Sequence, residues 1–316
     1  MKASVVFMGT PASALPVLEA LLVAGHEIRR VYTQPDRPAG RGREVEPSAV
    51  KHSALQQGLA VSQPAIWRSA EALAELAAMA PQVIVVAAYG RLLPPQVLRV
   101  PPKGCLNIHP SLLPRYRGPS PVVTAILEGE KRTGVTVMLM DEGMDTGPIL
   151  AQRTVEVTSD DTGGSLTHRL FEEGGRLLVE TLPLWLEGKL VPVPQDASQA
   201  TVTRRITKED GQLDWAQPAE RLWRQVRALD PWPGTYTTWR GKLLKVLEAS
   251  VLPAPVQGAS GLVVVAEHDR QPVLAVATGE GTALVLSRLQ LEGRRPLSAE
   301  EFLRGHLDFV GSRLPS

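Results

Sequence analysis

The first half of the chain alternates short β-branched runs with Ala/Leu-rich stretches of helical spacing, and few architectures accept that order. Strands that are apolar along their whole length need cover on both faces, which parallel sheets obtain by returning the chain through helices. The pattern predicts strands over 5–8, 27–32, 83–88, 105–109, 134–140 and 149–157. It predicts helices over 16–24, 48–57, 69–77, 121–129 and 165–186. This is the signature of an α/β domain of Rossmann-like kind with a mostly parallel sheet, whose ligands gather at the carboxyl ends of the strands.

The composition changes after residue 189. Residues 191–203, V-P-V-P-Q-D-A-S-Q-A-T-V-T, are polar, proline-bearing and weakly patterned, so an interdomain linker is expected over 190–206. That places a first domain at 1–189 and a second at 207–316. Beyond the linker come one helix, 218–229, and short strands over 235–239, 243–249, 261–266, 272–278 and 282–291, separated by Gly, Pro or charged turns. Closely spaced short strands suggest a small β-barrel of the OB-like type. A barrel alone does not establish nucleic-acid binding.

With 316 residues and 43% hydrophobic content, the chain can fill two ordinary cores. Lys and Arg number 34 against 33 Asp and Glu, so any contact with nucleic acid has to come from a local basic patch. Cys105 is the lone cysteine, which excludes a disulfide framework and Cys-based zinc or iron–sulfur sites. Apolar runs such as 83–88, or 135–140 interrupted by Thr136, are far short of the roughly 20 residues that span a bilayer. Met1 and Lys2 lead straight into the first strand without an apolar or Arg-rich leader. A cytoplasmic location and no membrane partner are expected.

Gly9-Thr10-Pro11 follows the first strand but lacks the G-x-G-x-x-G fingerprint and any Walker lysine, so it reads as a tight strand-to-helix turn. Residues 34–43, Q-P-D-R-P-A-G-R-G-R, set Arg37, Arg41 and Arg43 against Asp36 in a long loop. Such a loop is either a solvated surface element or one that adapts to a phosphate backbone. The most informative stretch is 107–118, N-I-H-P-S-L-L-P-R-Y-R-G. In an extended strand residues i and i+2 share a face, so Asn107 and His109 project together at the strand's carboxyl end. An amide donor beside a switchable imidazole suits an oxyanion site with an acid or base next to it. The next strand runs into 141–147, D-E-G-M-D-T-G. Asp145-Thr146-Gly147 has no second copy for an aspartic-protease dyad, the segment misses the EF-hand spacing, and Ser111 lacks a G-x-S-x-G elbow. What remains is an Asn, a His and a carboxylate at one sheet edge.

Asn107-x-His109, followed by Ser111-Leu112-Leu113-Pro114, Arg117-Gly118 and Asp145-Thr146-Gly147, resembles the 10-formyltetrahydrofolate-dependent formyltransferases. Residues 34–42 and Asp230-Pro231-Trp232-Pro233 are similar to those of the members that formylate methionyl-tRNA, and the resemblance covers essentially the whole chain. One departure is Pro110, where many members have glycine.

The resemblance implies transfer of a formyl group from 10-formyltetrahydrofolate, a co-substrate, to the α-amine of methionyl-initiator tRNA, without a metal. It implies catalytic roles for Asn107, His109 and Asp145, with Asn107 and His109 as oxyanion donors. It implies folate contacts at Tyr89, Gly90, Leu92, Ser111, Leu112, Leu113 and Pro114, and tRNA contacts at Arg37, Arg41 and Arg43. A monomer is expected. The competing readings are a folate hydrolase, a sugar-amine formyltransferase and an RNA-binding protein with a relic α/β domain. The first two leave the arginine loop and the barrel without a purpose, and the third leaves the Asn/His/Asp group without one.

Overall fold

In the computed structural model, residues 2–39, 44–67 and 69–316 are described. The chain divides into two compact units. Unit 1 comprises Met1–Pro121, Arg132–Glu156 and Leu166–Arg204; unit 2 comprises Val122–Lys131, Val157–Ser165 and Arg205–Ser316. Elements up to the seventh strand run β1 (Ser4–Gly9), α1 (Leu15–Val23), β2 (Glu27–Tyr32), β3 (Arg37–Ala39), β4 (Glu44–Glu46), α2 (Ala49–Gln56), β5 (Val61–Ser62), α3 (Ala70–Ala78), β6 (Val83–Ala87), α4 (Pro95–Leu98) and β7 (Cys105–His109). Then follow α5 (Pro121–Leu127), β8 (Arg132–Leu139), β9 (Ile149–Glu156) and α6 (Gly163–Leu186).

The seven-stranded sheet of unit 1 has the order β5-β2-β1-β6-β7-β8-β9. Its pairs are parallel up to β6–β7, while β7–β8 and β8–β9 are antiparallel. The sheet is covered on both faces, which is why β1 carries no polar residue after Ser4. Val5 and Phe7 enter one core with Leu18 and Leu21 of α1 and Leu178 and Leu182 of α6. Val6 and Met8 enter the other with Leu76 of α3, Val97 of α4 and the aromatic rings of Tyr32, Trp67 and Tyr89. Ser48 and Ser69 start α2 and α3 by accepting the Lys51 and Ala72 amides on their hydroxyls.

Three details differ from the sequence reading. The ends of the arginine loop pair as β3 and β4, with Arg37 opposite Glu46 and Ala39 opposite Glu44. A ladder this short needs no apolar face, so it leaves no periodic signal. Residues 190–204, expected as linker, belong to unit 1. Main-chain bonds hold them there: Val193 exchanges bonds with Ile149, the Arg117 amide donates to the Thr201 carbonyl, and the Thr203 amide donates to the Arg117 carbonyl. Finally, 122–131 and 157–165 cluster with unit 2 although they interrupt unit 1 in sequence.

Unit 2 contains α7 (Ala219–Ala228), β10 (Thr235–Trp239), β11 (Lys242–Leu252), β12 (Val263–His268), β13 (Gln271–Ala277), β14 (Ala283–Leu291), β15 (Leu297–Ser298) and α8 (Ala299–Gly305). Its antiparallel sheet runs β10-β11-β14-β13-β12, with β15 on β14. The last residues bond to both edges. Ser312 and Leu314 pair with Val263 and Gly261 beside β12, and Ser316 pairs with Thr238 and Gly241 at β10. The tail thus bridges the two edge strands of the sheet, in keeping with a barrel-like arrangement. Among the described residues no helix is long and apolar enough to cross a membrane.

Candidate active site

β7 sets the geometry. It pairs in parallel with β6, placing Asn107 beside Val86, and antiparallel with β8, placing His109 opposite Thr136. Leu106 and Ile108 point into the core shared with α6, and Cys105 into the opposite core. Asn107 and His109 therefore lie on the Cys105 face, away from α6. The helix backbone sits directly on Ile108: a Cβ at Gly174 would lie 2.5 Å from Ile108 Cγ2. That contact fixes the strand from behind.

Asp145 comes from the loop between β8 and β9, which is closed at its base by the Leu139 amide donating to the Pro148 carbonyl (2.9 Å). Its φ of +55° is left-handed, a region that Asp and Asn enter more readily than other non-glycine residues. The carboxylate is held by three neighbours. Oδ2 accepts the Gly118 amide at 2.8 Å and lies 3.6 Å from His109 Nδ1, while Oδ1 accepts Asn107 Nδ2 at 3.4 Å. His109, 4% exposed, donates Nε2–H to the Tyr116 carbonyl at 2.9 Å. A carbonyl can only accept, so this bond fixes the tautomer and leaves Nδ1, facing Asp145, as the ring nitrogen not committed to the main chain. Tyr116 is itself left-handed (φ +60°), and its amide donates to Thr201 Oγ1 at 2.8 Å.

The structure thus brings Asn107, His109 and Asp145 together, and it sorts the residues expected on folate into two sets. Leu92 (72% exposed) and Gly90 are open, and Leu112 and Pro114 are half-buried. Tyr89, Ser111 and Leu113 are buried. The Tyr89 hydroxyl accepts Trp67 Nε1–H at 3.1 Å, and burial pushes its phenol above the ordinary tyrosine range. Its carbonyl accepts from Thr10 Oγ1 (3.0 Å) and Gln34 Nε2 (2.9 Å). The Ser111 hydroxyl donates to the Arg115 carbonyl at 2.7 Å, a local bond that serine in a tight turn commonly makes. Leu113 is held by its main chain, which donates to Thr136 Oγ1 and accepts from Gln152 Nε2. The side chains of Tyr89, Ser111 and Leu113 are thus packed within unit 1. Leu112 lies over Gly134, where a Cβ would meet its Cδ2 at 2.5 Å.

Arg37 opens β3, whereas Arg41 and Arg43 lie outside the described residues. Burial pushes the Cys105 thiol up to about 12, so it offers no thiolate near neutral pH. Among the described residues no group of His, Cys, Asp and Glu converges as a metal site. Reasoning from sequence gave no role to Thr10, Gln34, Gln195 and Thr201, although Thr10 stands in the Gly9-Thr10-Pro11 turn and Gln34 opens the 34–43 loop.

Residues 1–182 match the family model described as formyl transferase, and residues 205–307 match that of the formyl transferase C-terminal domain. Named relatives are similar over nearly the whole length. A methionyl-tRNA formyltransferase of Chloroflexus aurantiacus is 49% identical over 97% of this chain and 98% of its own. One of Geobacillus thermodenitrificans is 44% identical over 98% and 95%. Among solved structures, HypX from Aquifex aeolicus superposes with a TM-score of 0.66 at 20% identity, over 98% of this chain but only 50% of HypX. The sugar 3N-formyl transferase WlaRD gives 0.65 at 16% identity, over 93% of this chain and 100% of its own. At such identities these two likenesses speak for the fold alone. The matches to both family models, with relatives near half identity from end to end, make this chain a member of the formyltransferase family.

Proposed function

We propose that the chain transfers the formyl group of 10-formyltetrahydrofolate to the α-amine of methionyl-initiator tRNA. The observation that carries the reading is the Asp145 carboxylate, which faces both the Asn107 amide and the His109 imidazole. Two features support an RNA acceptor: the arginines of the 37–43 loop, and an open hollow of about 690 Å³ on unit 2 lined by Arg294, Arg295, Arg304 and His306 with Glu301 as its one acid. Arginine is suited to phosphate contacts of this kind.

The donor folate supplies an activated formyl carbon. An α-amine of pKa about 7.7–8.0 is partly neutral near pH 7, so attack requires little base assistance. As the amine nitrogen bonds to the formyl carbon, the carbonyl oxygen becomes an alkoxide. Collapse then breaks the carbon–N10 bond, and the proton lost by the amine ends on N10. In the Asn107 amide one N–H is held by Asp145, leaving the second to donate to the alkoxide. His109 can donate only through Nδ1, because Nε2–H is committed to Tyr116. Asp145 orients that nitrogen and stabilises its protonated form, so the pair can carry the proton toward N10.

Incubation with 10-formyltetrahydrofolate, with and without methionyl-initiator tRNA, tests the reading. Formyl-methionyl-tRNA is the expected product. Formate released without acceptor would indicate a hydrolase, and no turnover with either would leave only binding. In the same assay Arg41→Ala is expected to lower kcat/KM for charged tRNA by about 5–30-fold, the loss of about one to two kcal/mol of charge-assisted contact. Folate affinity should be unchanged. An unaltered kcat/KM would remove the loop from acceptor recognition.

A further inference from the structure

Gln195 lies in the stretch whose composition suggested a linker, yet its side chain reaches the loop that carries Asp145. Its Nε2 donates one hydrogen to the carbonyl of Asp145 itself (2.9 Å) and the other to the carbonyl of Gly147 (2.7 Å). A primary amide has two equivalent-looking ends, and here the choice between them is fixed. Arg117 donates to Gln195 Oε1 through Nε at 3.0 Å and through a terminal nitrogen at 2.8 Å. A guanidinium donates only, so the amide oxygen must face Arg117 and the amide hydrogens must face the loop.

The loop needs such a brace. Asp145 is held at φ +55°, a left-handed conformation that is unfavourable for a non-glycine residue and persists only where its surroundings enforce it. The Gly118 amide fixes the carboxylate from one side. Gln195 fixes the main chain to which that carboxylate is attached. Arg117 and Gly118 are adjacent, so the two supports spring from one short segment, itself tied to the strand by the bond from His109 to Tyr116.

We propose that Gln195, oriented by Arg117, is a positioning residue for formyl transfer: it clamps the Asp145 and Gly147 carbonyls and so aims the Asp145 carboxylate at Asn107 and His109. The inference rests on the functional reading above. The Arg117–Gln195–Asp145 relay acts on catalysis and not on the affinity for either substrate.

The test is a double-mutant cycle on the full chain, read as formyl transfer to methionyl-initiator tRNA. Gln195→Glu keeps the length and the Arg117 contact but cannot donate to either carbonyl. It is expected to lower kcat by about 10–100-fold, in line with the sensitivity of catalysis to displacements near 1 Å, with KM for both substrates unchanged. Introduced into Asp145→Ala, the same change should cost less than about twofold, because groups that act as a unit are not additive. Arg117→Met, which leaves Gln195 in place but frees its amide to turn, is expected to reproduce the effect in part and serves if Gln195→Glu folds poorly. An equal loss from Gln195→Glu with and without Asp145 would overturn the proposal, as would loss through KM alone. Wild-type protein that transfers no formyl group would instead overturn the functional reading and leave the clamp to be judged by the Asp145 loop conformation.

Discussion

Asp145→Ala is expected to reduce kcat for formyl transfer by about 10²–10³-fold, the loss typical for a group that stabilises charge developing in the transition state. The substitution removes the carboxylate that accepts the Asn107 and Gly118 amides and faces His109 Nδ1. His109 Nδ1 then has no carboxylate to stabilise its protonated form, and the Asn107 amide is free to rotate away from the alkoxide. Some stability is lost too. Gly118 is buried, and stranding its amide costs about 1–3 kcal/mol. Asp145→Asn separates the two effects. Asparagine keeps the volume, tolerates the left-handed backbone and can still accept the Gly118 amide, but doing so turns its NH2 onto the Asn107 NH2, donor against donor, and leaves no charge to stabilise a protonated His109. It should therefore hold Tm near the wild-type value and still lose most of kcat. Asn107→Ala is expected to lose kcat on the same scale without stranding a main-chain donor. Folate affinity measured by equilibrium titration should persist in all three variants. Near-normal kcat in Asp145→Ala or Asn107→Ala removes that residue from the proposed chemistry.

How much of this arrangement was legible in the sequence depends on the kind of bond that makes it. The face of β7 was legible, because Leu106 and Ile108 alternate with Cys105, Asn107 and His109 and the strand period is two. The direction of β8 was not. A run of buried residues reads the same forwards or backwards, so the mostly parallel sheet was legible but not that β8 is the one strand reversed within it, antiparallel to both β7 and β9. Segment 190–204 was misread as linker for a related reason. It is held to unit 1 by main-chain bonds and by the side chains of Gln195, Thr201 and Thr203, none of which adds hydrophobic periodicity. Ser111, within the matching Ser-Leu-Leu-Pro segment, donates its hydroxyl hydrogen to the Arg115 carbonyl, a local bond that the motif alone does not reveal. Asn107 and His109 lie on β7 and Asp145 in the loop after β8, and because β7 and β8 are neighbours in the sheet, topology rather than local pattern brings the three together.

Gly147→Ala is the second substitution expected to have a large effect, and it acts through the backbone alone. A Cβ at this position would stand 1.8 Å from the Leu139 carbonyl oxygen and 3.1 Å from Met138 Cε. The obstacle is main chain, so no rotamer change relieves it. Leu139 ends β8, and its amide donates to Pro148, the residue after Gly147, so the added methyl drives apart the two strands of the loop base. Overpacking of this sort costs about 1–3 kcal/mol even where neighbours can adjust, and more where they cannot. For a domain of this size that corresponds to a Tm lowered by about 2–4 °C per kcal/mol. Catalysis should suffer beyond stability. Asp145 is two residues away, and the Gly147 carbonyl is one of the two that Gln195 grips. A shift near 1 Å at the carboxylate is enough to lower kcat by about 10²-fold. Gly305→Ala is the control, since a Cβ there meets nothing within 4 Å. It should leave Tm and kcat near wild type, whereas wild-type behaviour of Gly147→Ala would mean that the loop carrying Asp145 can move without consequence for the reaction.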